Sequence, residues 1–416
     1  MERTELENGL ELVHQEPPAG AATFALTFIS PAGWAFDPPT RAGRAVILSE
    51  LLPCGAGARD RAEVARLLDR CGGTLTSHCH PESIELTLWG PSSELPTLVP
   101  LLAEAIRSPR FDPREIDRVR RQLAERQMRE RTQPDRCAEK ELFHRVFPPG
   151  HPYRETGLGT SDTLDAIGPE DLRLARRTHL LHRGASLVAT TRDPIGRIAR
   201  RLESAFGRSS LRAAPPPVRI PPPGPSGAEP VRLRVEGGSQ VEIRIGGAAL
   251  ARSDPDYPAA FLANEILGGR SLLSRLFDHL RERRGLVYHA ASELDAMRWG
   301  GYWTAEAGTE PRRVPGVLKL MDSEIRAMGR REAGSAEVER IRESLIGSVW
   351  MELENTSTAH EFAVDVAYHH LAEDFYASWP GTLRAIAPRA IREAAARILD
   401  PDRASTVLAG PSAPVG

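Results

Sequence analysis

The 416-residue sequence has few cysteines, no excess of either charge and no long apolar run. Four cysteines without a Cys-x-x-Cys pair are too few for a disulfide framework, so we expect reduced thiols and a cytoplasmic protein. A net charge of -2 argues against a dedicated nucleic-acid binder. No run approaches the roughly 18 apolar residues that span a bilayer, and the acidic, polar N-terminus predicts no signal peptide.

Hydrophobic residues make up 41% of the sequence and charged residues 26%, which is ordinary for a globular protein. The length predicts two domains of about 200 residues each. Prolines are concentrated at 213–230, where they favour extended chain over helix or inner strand. We therefore predict a first domain at 1–213, a Pro-rich linker at 214–230 and a second domain at 231–416.

The two halves show a similar order of patterns. Residues 10–14 and 22–30 have strand patterns, followed by helical patterns at 42–52 and 61–70 and by further strands and long helices. Strands at 231–235 and 241–245 begin the same order again after the linker. The repetition predicts an α+β fold in which a domain is duplicated within one chain.

Several short motifs occur in a specific order along the chain. They are Pro-Ala-Gly-Trp-Ala-Phe-Asp-Pro-Pro at 31–39, Gly-Arg-Ala at 43–45, His-Pro-Tyr at 151–153, Gly-Leu-Gly-Thr at 157–160, Asn-Glu-Ile-Leu-Gly-Gly at 264–269, Ser-Arg-Leu-Phe at 274–277 and Leu-Arg-Glu-Arg-Arg-Gly-Leu-Val-Tyr at 280–288. Together they resemble the pitrilysin/insulinase-type zinc metallopeptidases, in the short two-domain branch that includes the mitochondrial processing peptidase. The resemblance covers nearly the whole chain. It implies two homologous α/β-sandwich domains, with antiparallel-rich sheets packed by helices, in a clamshell.

The zinc motif of that family, His-x-x-Glu-His, does not occur in this sequence. In the motif, two histidines on one helix face bind the metal and the glutamate activates a bound water. The resemblance places the three motif positions on Val46, Ser49 and Glu50, and a distal family glutamate falls within one residue of Glu125. Valine cannot bind zinc and Ser49 cannot act as the general base. We therefore expect no metal or other cofactor in this chain.

A second family feature is retained. In the active enzymes an arginine and a tyrosine seven residues apart face the zinc, hold the substrate backbone and stabilise the oxyanion. The resemblance places this pair on Arg281 and Tyr288. We expect Arg281 to end a helix, Gly285 to allow the turn and Tyr288 to lie on the next strand. Guanidinium and phenol groups are suitable donors for charge on a peptide carbonyl.

The lost motif and the retained pair predict a non-catalytic subunit of a heterodimeric zinc peptidase. Zinc and general base would belong to a paralogous partner, and this chain would supply Arg281, Tyr288, part of the chamber wall and an edge strand for a peptide substrate.

Three alternatives remain open at this level. The chain could be a non-enzymatic scaffold in a larger assembly, as are the core proteins of respiratory complexes in the same superfamily, or a maturation factor that passes a peptide precursor to a peptidase. It could also be an autonomous metallopeptidase with ligands such as His78, His80 and Glu82.

Overall fold

The computed structural model describes residues 1–207, 211–214, 220–223, 229–236 and 238–411, with the side chain of residue 271 excepted. The predicted linker therefore lies partly outside the described residues. The strands are β1 (Glu2–Glu5), β2 (Glu11–Gln15), β3 (Thr23–Ser30), β4 (Thr74–Cys79), β5 (Ile84–Pro91), β6 (Ser186–Thr190), β7 (Val231–Arg234), β8 (Val241–Ala249), β9 (Val287–Ala296), β10 (Gly301–Thr309) and β11 (Ser405–Gly410).

Helices account for most of the remaining regular structure. They are α1 (Arg44–Leu51), α2 (Arg61–Cys71), α3 (Leu95–Arg107), α4 (Pro113–Thr132), α5 (Pro134–Val146), α6 (Ser161–Asp165), α7 (Pro169–Ala175), α8 (Ile195–Phe206), α9 (Tyr257–Asn264), α10 (Val314–Arg330), α11 (Ser335–Leu353), α12 (Thr356–Tyr368), α13 (Phe375–Ala385) and α14 (Pro388–Ile398). None of the described helices has the length and apolarity needed to span a bilayer.

The two sheets have the same topology. The first has the order β1-β2-β6-β3-β5-β4 and the second the order β7-β11-β8-β10-β9. In each sheet one parallel pair, β2/β6 or β7/β11, is followed by three antiparallel pairs. Strand β1 is an addition at the edge of the first sheet. The prediction of a duplicated, antiparallel-rich α+β fold is confirmed.

Local sequence signals account for several element boundaries. Asp60, which directly precedes the predicted helix at 61–70, accepts the Glu63 N–H at 2.8 Å, and the Glu63 carboxylate accepts the Asp60 N–H at 2.8 Å. This capping box begins α2, and Gly72 ends it in the left-handed conformation, with φ at 61°. Strand β5 alternates buried and half-buried residues, as expected for a strand that packs helices on one face.

Each of the two compact units includes one segment from the other half of the sequence. The first compact unit comprises Met1–Arg126, the described part of Thr156–Arg219, and Val349–Tyr376. The second comprises Gln127–Glu155 and the described parts of Ile220–Ser348 and Ala377–Gly416. Both units are therefore discontinuous in sequence, unlike the contiguous domains at 1–213 and 231–416. Those domain boundaries stay a prediction.

The exchanged segments contain equivalent helices. Helix α12 packs on β2, β3 and β6 of the first sheet, and α5 packs on β8 and β11 of the second. Both helices have 13 residues. Arginines donate to carbonyl oxygens within and just after the last turn of each helix: Arg3 to those of Val366 and Leu371, and Arg154 to those of His144 and Phe147. A cation at this end also complements the helix dipole.

A buried histidine fixes α12 on its sheet. The His360 ring nitrogens lie 2.7 Å from Thr27 Oγ1 and 2.8 Å from Thr190 Oγ1, and the Trp89 ring contacts it edge-on. Burial lowers the pKa of His360 to about 3, because the charged imidazolium would lose its hydration. Protonation should therefore oppose docking of α12.

We expect acid to destabilise the protein partly through His360. The unfolded chain takes up this proton near the ordinary histidine pKa of about 6.5, whereas the folded chain takes it up only near 3. Stability is thus lost as the pH falls through this window, by about 1.4 kcal/mol per pH unit. The free energy of unfolding, measured with urea at pH 7, 6 and 5, should fall less steeply with decreasing pH in His360→Gln than in wild type, by about this amount per pH unit. The exposed His80→Gln is the control, and an equal slope in wild type and His360→Gln would contradict the assignment.

Candidate functional site

Two of the three zinc-motif positions lie in the hydrophobic core of the first unit. Val46 and Ser49, both on α1, are buried. The Ser49 hydroxyl lies 2.6 Å from the Ser77 hydroxyl of β4, and Ser77 donates to the backbone oxygen of Glu85 at 3.0 Å. These side chains join a helix to a strand, and they offer zinc neither a ligand nor a base.

The third motif position is neutralised by a neighbouring helix. Glu50 Oε1 lies 2.8 Å from Arg126 Nη2 on α4, and both side chains are partly exposed. Glu125 precedes this arginine and is exposed. The positive charge beside Glu50 therefore comes from a guanidinium, and the residues at these positions do not fit a zinc ion.

The Glu50–Arg126 pair should contribute little to stability because water screens partly exposed ion pairs. We expect Glu50→Ala and Arg126→Ala each to lower the free energy of unfolding by less than about 1 kcal/mol. A double-mutant cycle measured by urea unfolding would give the coupling energy between Glu50 and Arg126.

Dialysis against EDTA should leave the melting temperature of the isolated chain unchanged, whereas a fall of several degrees would show that the chain holds a metal.

The N-terminus of α1 is held by a buried ion pair. Asp37 Oδ1 lies 3.2 Å from Arg44 Nε, and the two Asp37 oxygens accept the Ala45 N–H at 3.1 and 3.0 Å. Burial raises the pKa of Asp37 to about 6, an effect opposed by the Ala45 N–H and by Arg44. Gly43 begins the helix with φ at 96°, which a glycine adopts without strain. The motifs at 31–39 and 43–45 thus build the start of α1.

The alternative metal ligands are not assembled. His78 and His80 are exposed on or just after β4, and His80 Nε2 lies 3.7 Å from Glu85 Oε1. Glu82 is buried and accepts the Tyr368 hydroxyl at 2.5 Å. Within the described residues, no group of three or more histidine, cysteine, aspartate or glutamate side chains is arranged to hold a metal ion. The geometry therefore does not support a site built from His78, His80 and Glu82.

Arg281 lies on one of the three π-helical turns in the described part of the chain. Residues Phe277–Glu282 form a π-helix, in which the Arg283 N–H donates to the Asp278 oxygen five residues earlier at 2.9 Å. The Arg281 side chain is exposed, and its guanidinium carbon lies 5.1 Å from the centre of the Phe277 ring. Single π-helical turns are rare and occur frequently at functional sites.

The turn after Arg281 has the predicted form. The Gly285 N–H donates to the Arg281 oxygen and the Leu286 N–H to the Leu280 oxygen, both at 2.9 Å. The first is the single bond of an αL C-cap, in which Gly285 takes the left-handed conformation with φ at 56°. The second spans six residues and closes the wider turn that follows the π-helix. The turn leads directly into β9, so Arg281 and Tyr288 lie on consecutive elements.

Tyr288 lies in a β-bulge on the outermost strand of the second sheet. The β9/β10 register passes from Val287 opposite Thr309 to His289 opposite Gly308, so Tyr288 is an extra residue on β9. Its side chain is 52% exposed. Bulges redirect side chains and are over-represented next to active sites. Arg281 and Tyr288 are thus both presented to solvent by irregular backbone.

Sequence reasoning missed three of these features. The π-turn at Phe277–Glu282 was expected to be ordinary helix, the bulge at Tyr288 leaves no composition signal, and Arg126 was not singled out. The one signal for Arg126 in the sequence was its position on α4, directly after Glu125.

The chain matches two family models. Residues 12–150 match "Insulinase (Peptidase family M16)" and residues 166–345 match "Peptidase M16 inactive domain". The two matches together span well over half of the chain, which therefore belongs to the M16 family of pitrilysin/insulinase-type proteins. It is a member without the His-x-x-Glu-His motif.

Relatives with similar sequences are described as zinc proteases. The chain is 26% identical over 361 residues to an uncharacterized zinc protease of Streptomyces coelicolor, covering 85% of this chain and 77% of the relative. It is 25% identical over 370 residues to one of Mycobacterium tuberculosis, covering 86% and 81%.

Solved structures share the fold. An M16 inactive-domain protein from Pseudomonas fluorescens superposes with a TM-score of 0.91 at 20% identity, covering 99% of this chain and 98% of the other. A protease from Helicobacter pylori gives 0.89 at 18% identity, with 98% of each chain covered. The periplasmic protease PqqL of Escherichia coli gives 0.80 at 11% identity, covering 99% of this chain and 46% of PqqL.

Proposed function

We propose that this chain is the zinc-less subunit of a heterodimeric metallopeptidase and lends Arg281 and Tyr288 to the metal site of a paralogous partner. One contrast carries the proposal. The motif positions Val46 and Ser49 are buried in the core and Glu50 is paired with Arg126, whereas both donors are exposed on irregular backbone.

Each side chain of the pair has a distinct task in this proposal. The Arg281 guanidinium is always charged and would hold a carbonyl of the substrate backbone. The Tyr288 hydroxyl would donate a hydrogen bond to the oxygen that gains negative charge when water attacks the scissile carbonyl. The partner's zinc would polarise that carbonyl and supply the activated water.

The strand that carries Tyr288 also suits a peptide substrate. Strand β9 is paired with β10 on one side and is the last strand of its sheet. An extended peptide can add to such an edge through backbone hydrogen bonds, which give affinity with little dependence on sequence. We therefore propose unfolded peptides as the substrate class, and we keep the cytoplasmic location as a prediction.

Mixing the subunits tests the proposal. The chain alone, the paralogue that carries His-x-x-Glu-His alone, and the two together would be assayed with a fluorogenic unstructured peptide. We expect zinc-dependent cleavage in the mixture alone, together with a 1:1 complex on size-exclusion chromatography. Cleavage by the isolated chain, or full activity of the isolated paralogue, would refute the division of labour.

A scaffold or peptide-binding role in a larger assembly is the second candidate, favoured by two exposed apolar side chains on α11. Trp350 is 52% and Met351 69% exposed, and large exposed apolar groups are typical of interfaces. In that case Arg281→Ala would leave every activity of the assembly unchanged, while Trp350→Glu would release the chain from it.

A further inference from the structure

The bulge at Tyr288 is held from its upstream side by two side chains. Thr309 Oγ1 donates to the Leu286 oxygen at 2.6 Å, immediately before β9 begins. Arg313 Nη1 donates to the Gly285 oxygen at 2.6 Å. Both bonds fix backbone carbonyls within three residues of Tyr288, so the chain enters the bulge in one defined direction.

A histidine–glutamate pair holds the bulge from its downstream side. His289, the next residue after Tyr288, places Nε2 3.3 Å from Glu242 Oε2 on β8. The hydrogen bond to Glu242 raises the pKa of His289 and so favours the charged form of the ring. Strand β10 lies between β8 and β9, so this contact crosses a whole strand.

The crossing is possible because β10 has a glycine at that point. Gly308 lies opposite both His289 and Glu242 in the ladder. A Cβ at Gly308 would lie 2.5 Å from His289 Cε1 and 3.0 Å from Glu242 Oε1. A side chain there would therefore force the pair apart, which gives the glycine a specific role.

We infer that Thr309 and the His289–Glu242 pair over Gly308 are positioning residues, which fix the bulge that presents the Tyr288 hydroxyl. The inference rests on the proposed function, because Tyr288 needs a defined direction only if its hydroxyl must meet a substrate. None of these residues touches the reacting atoms. A displacement of about 1 Å at a positioned group can cost about a hundredfold in rate, so their effect would be large.

Thr309→Val provides the test, since it keeps the shape of the side chain and removes the hydrogen bond to Leu286. Hydrogen exchange of the isolated chain should become at least about tenfold faster for the amides of 286–289, while Thr309→Ser keeps the wild-type rate. Thr304→Val is the matched control, because Thr304 lies on the same strand opposite Glu293. Gly308→Ala is a second variant, directed at the His289–Glu242 pair.

Activity of the complex with the zinc-bearing paralogue gives the second readout. We expect Thr309→Val and Gly308→Ala to lower kcat by about 10- to 100-fold with KM within threefold of wild type, and Thr309→Ser to restore kcat. Unchanged amide exchange in both variants would overturn the inference. So would unchanged kcat when Tyr288→Phe itself lowers kcat. If Tyr288→Phe has no effect, the proposed function fails, and hydrogen exchange alone decides whether these residues hold the bulge.

Discussion

Arg281→Ala and Tyr288→Phe are each expected to lower kcat of the zinc-dependent heterodimer by about 10²–10³, the usual cost of removing one oxyanion donor. Both side chains are exposed, Arg281 on a π-helical turn and Tyr288 in a bulge, so neither substitution opens a cavity in the core. The loss should therefore come from the transition state rather than from folding.

Steady-state kinetics with saturating partner would measure this effect, and the melting temperature of each variant should stay within about 2 °C of wild type. Arg312→Ala is the matched control for Arg281→Ala because Arg312 is also exposed in the second unit and pairs with Glu310. A loss in kcat smaller than tenfold in both site variants would contradict the assignment. A double variant that loses no more than either single variant would indicate that the two donors act as a unit.

Asp37→Ala is expected to cost about 3–5 kcal/mol of stability, because it leaves the Arg44 guanidinium buried without a counter-charge. The side chains of Asp37 and Arg44 are 3% and 8% exposed, so water cannot replace the lost carboxylate. The substitution also removes the acceptor of the Ala45 N–H at the start of α1.

Urea unfolding monitored by circular dichroism would measure this loss. The control is Asp117→Ala, which removes an exposed ion pair with Arg120 on α4 and should cost no more than about 1 kcal/mol. Asp37→Ala combined with Arg44→Met should recover part of the loss, because no unpaired charge then remains in the core. A loss below about 1 kcal/mol for Asp37→Ala alone would show that water reaches the guanidinium.

Local signals in the sequence were sufficient to predict much of the fold. The Asp60 cap, the Gly72 and Gly285 helix ends and the strand alternation each depend on residues within a few positions of one another. The shared order of these local signals then led to the duplication. Loss of the zinc motif was visible because it needs only the identity of the residues at Val46, Ser49 and Glu50.

Features that depend on contacts between distant residues were not predictable. The Asp37–Arg44 pair is close in sequence, but its burial requires the surrounding core. Pairing of Glu50 with Arg126 requires α1 and α4 to meet, and the bulge at Tyr288 depends on Thr309 and Glu242 from two other strands. Assignment of α5 and α12 to sheets in the opposite half likewise follows from packing and not from local pattern.

The exchange of α5 and α12 has a consequence for the origin and the dissection of the chain. A polypeptide that ended in the Pro-rich segment would carry α5 without its own sheet and would leave the Thr27 and Thr190 hydroxyls without the His360 ring. Neither fragment should then be stable when expressed singly, whereas co-expressed fragments should complement each other. Two copies of an ancestral half-length protein could have paired by the same exchange, each contributing one helix to the sheet of the other. Fusion of two such copies would have preserved the exchange within one gene.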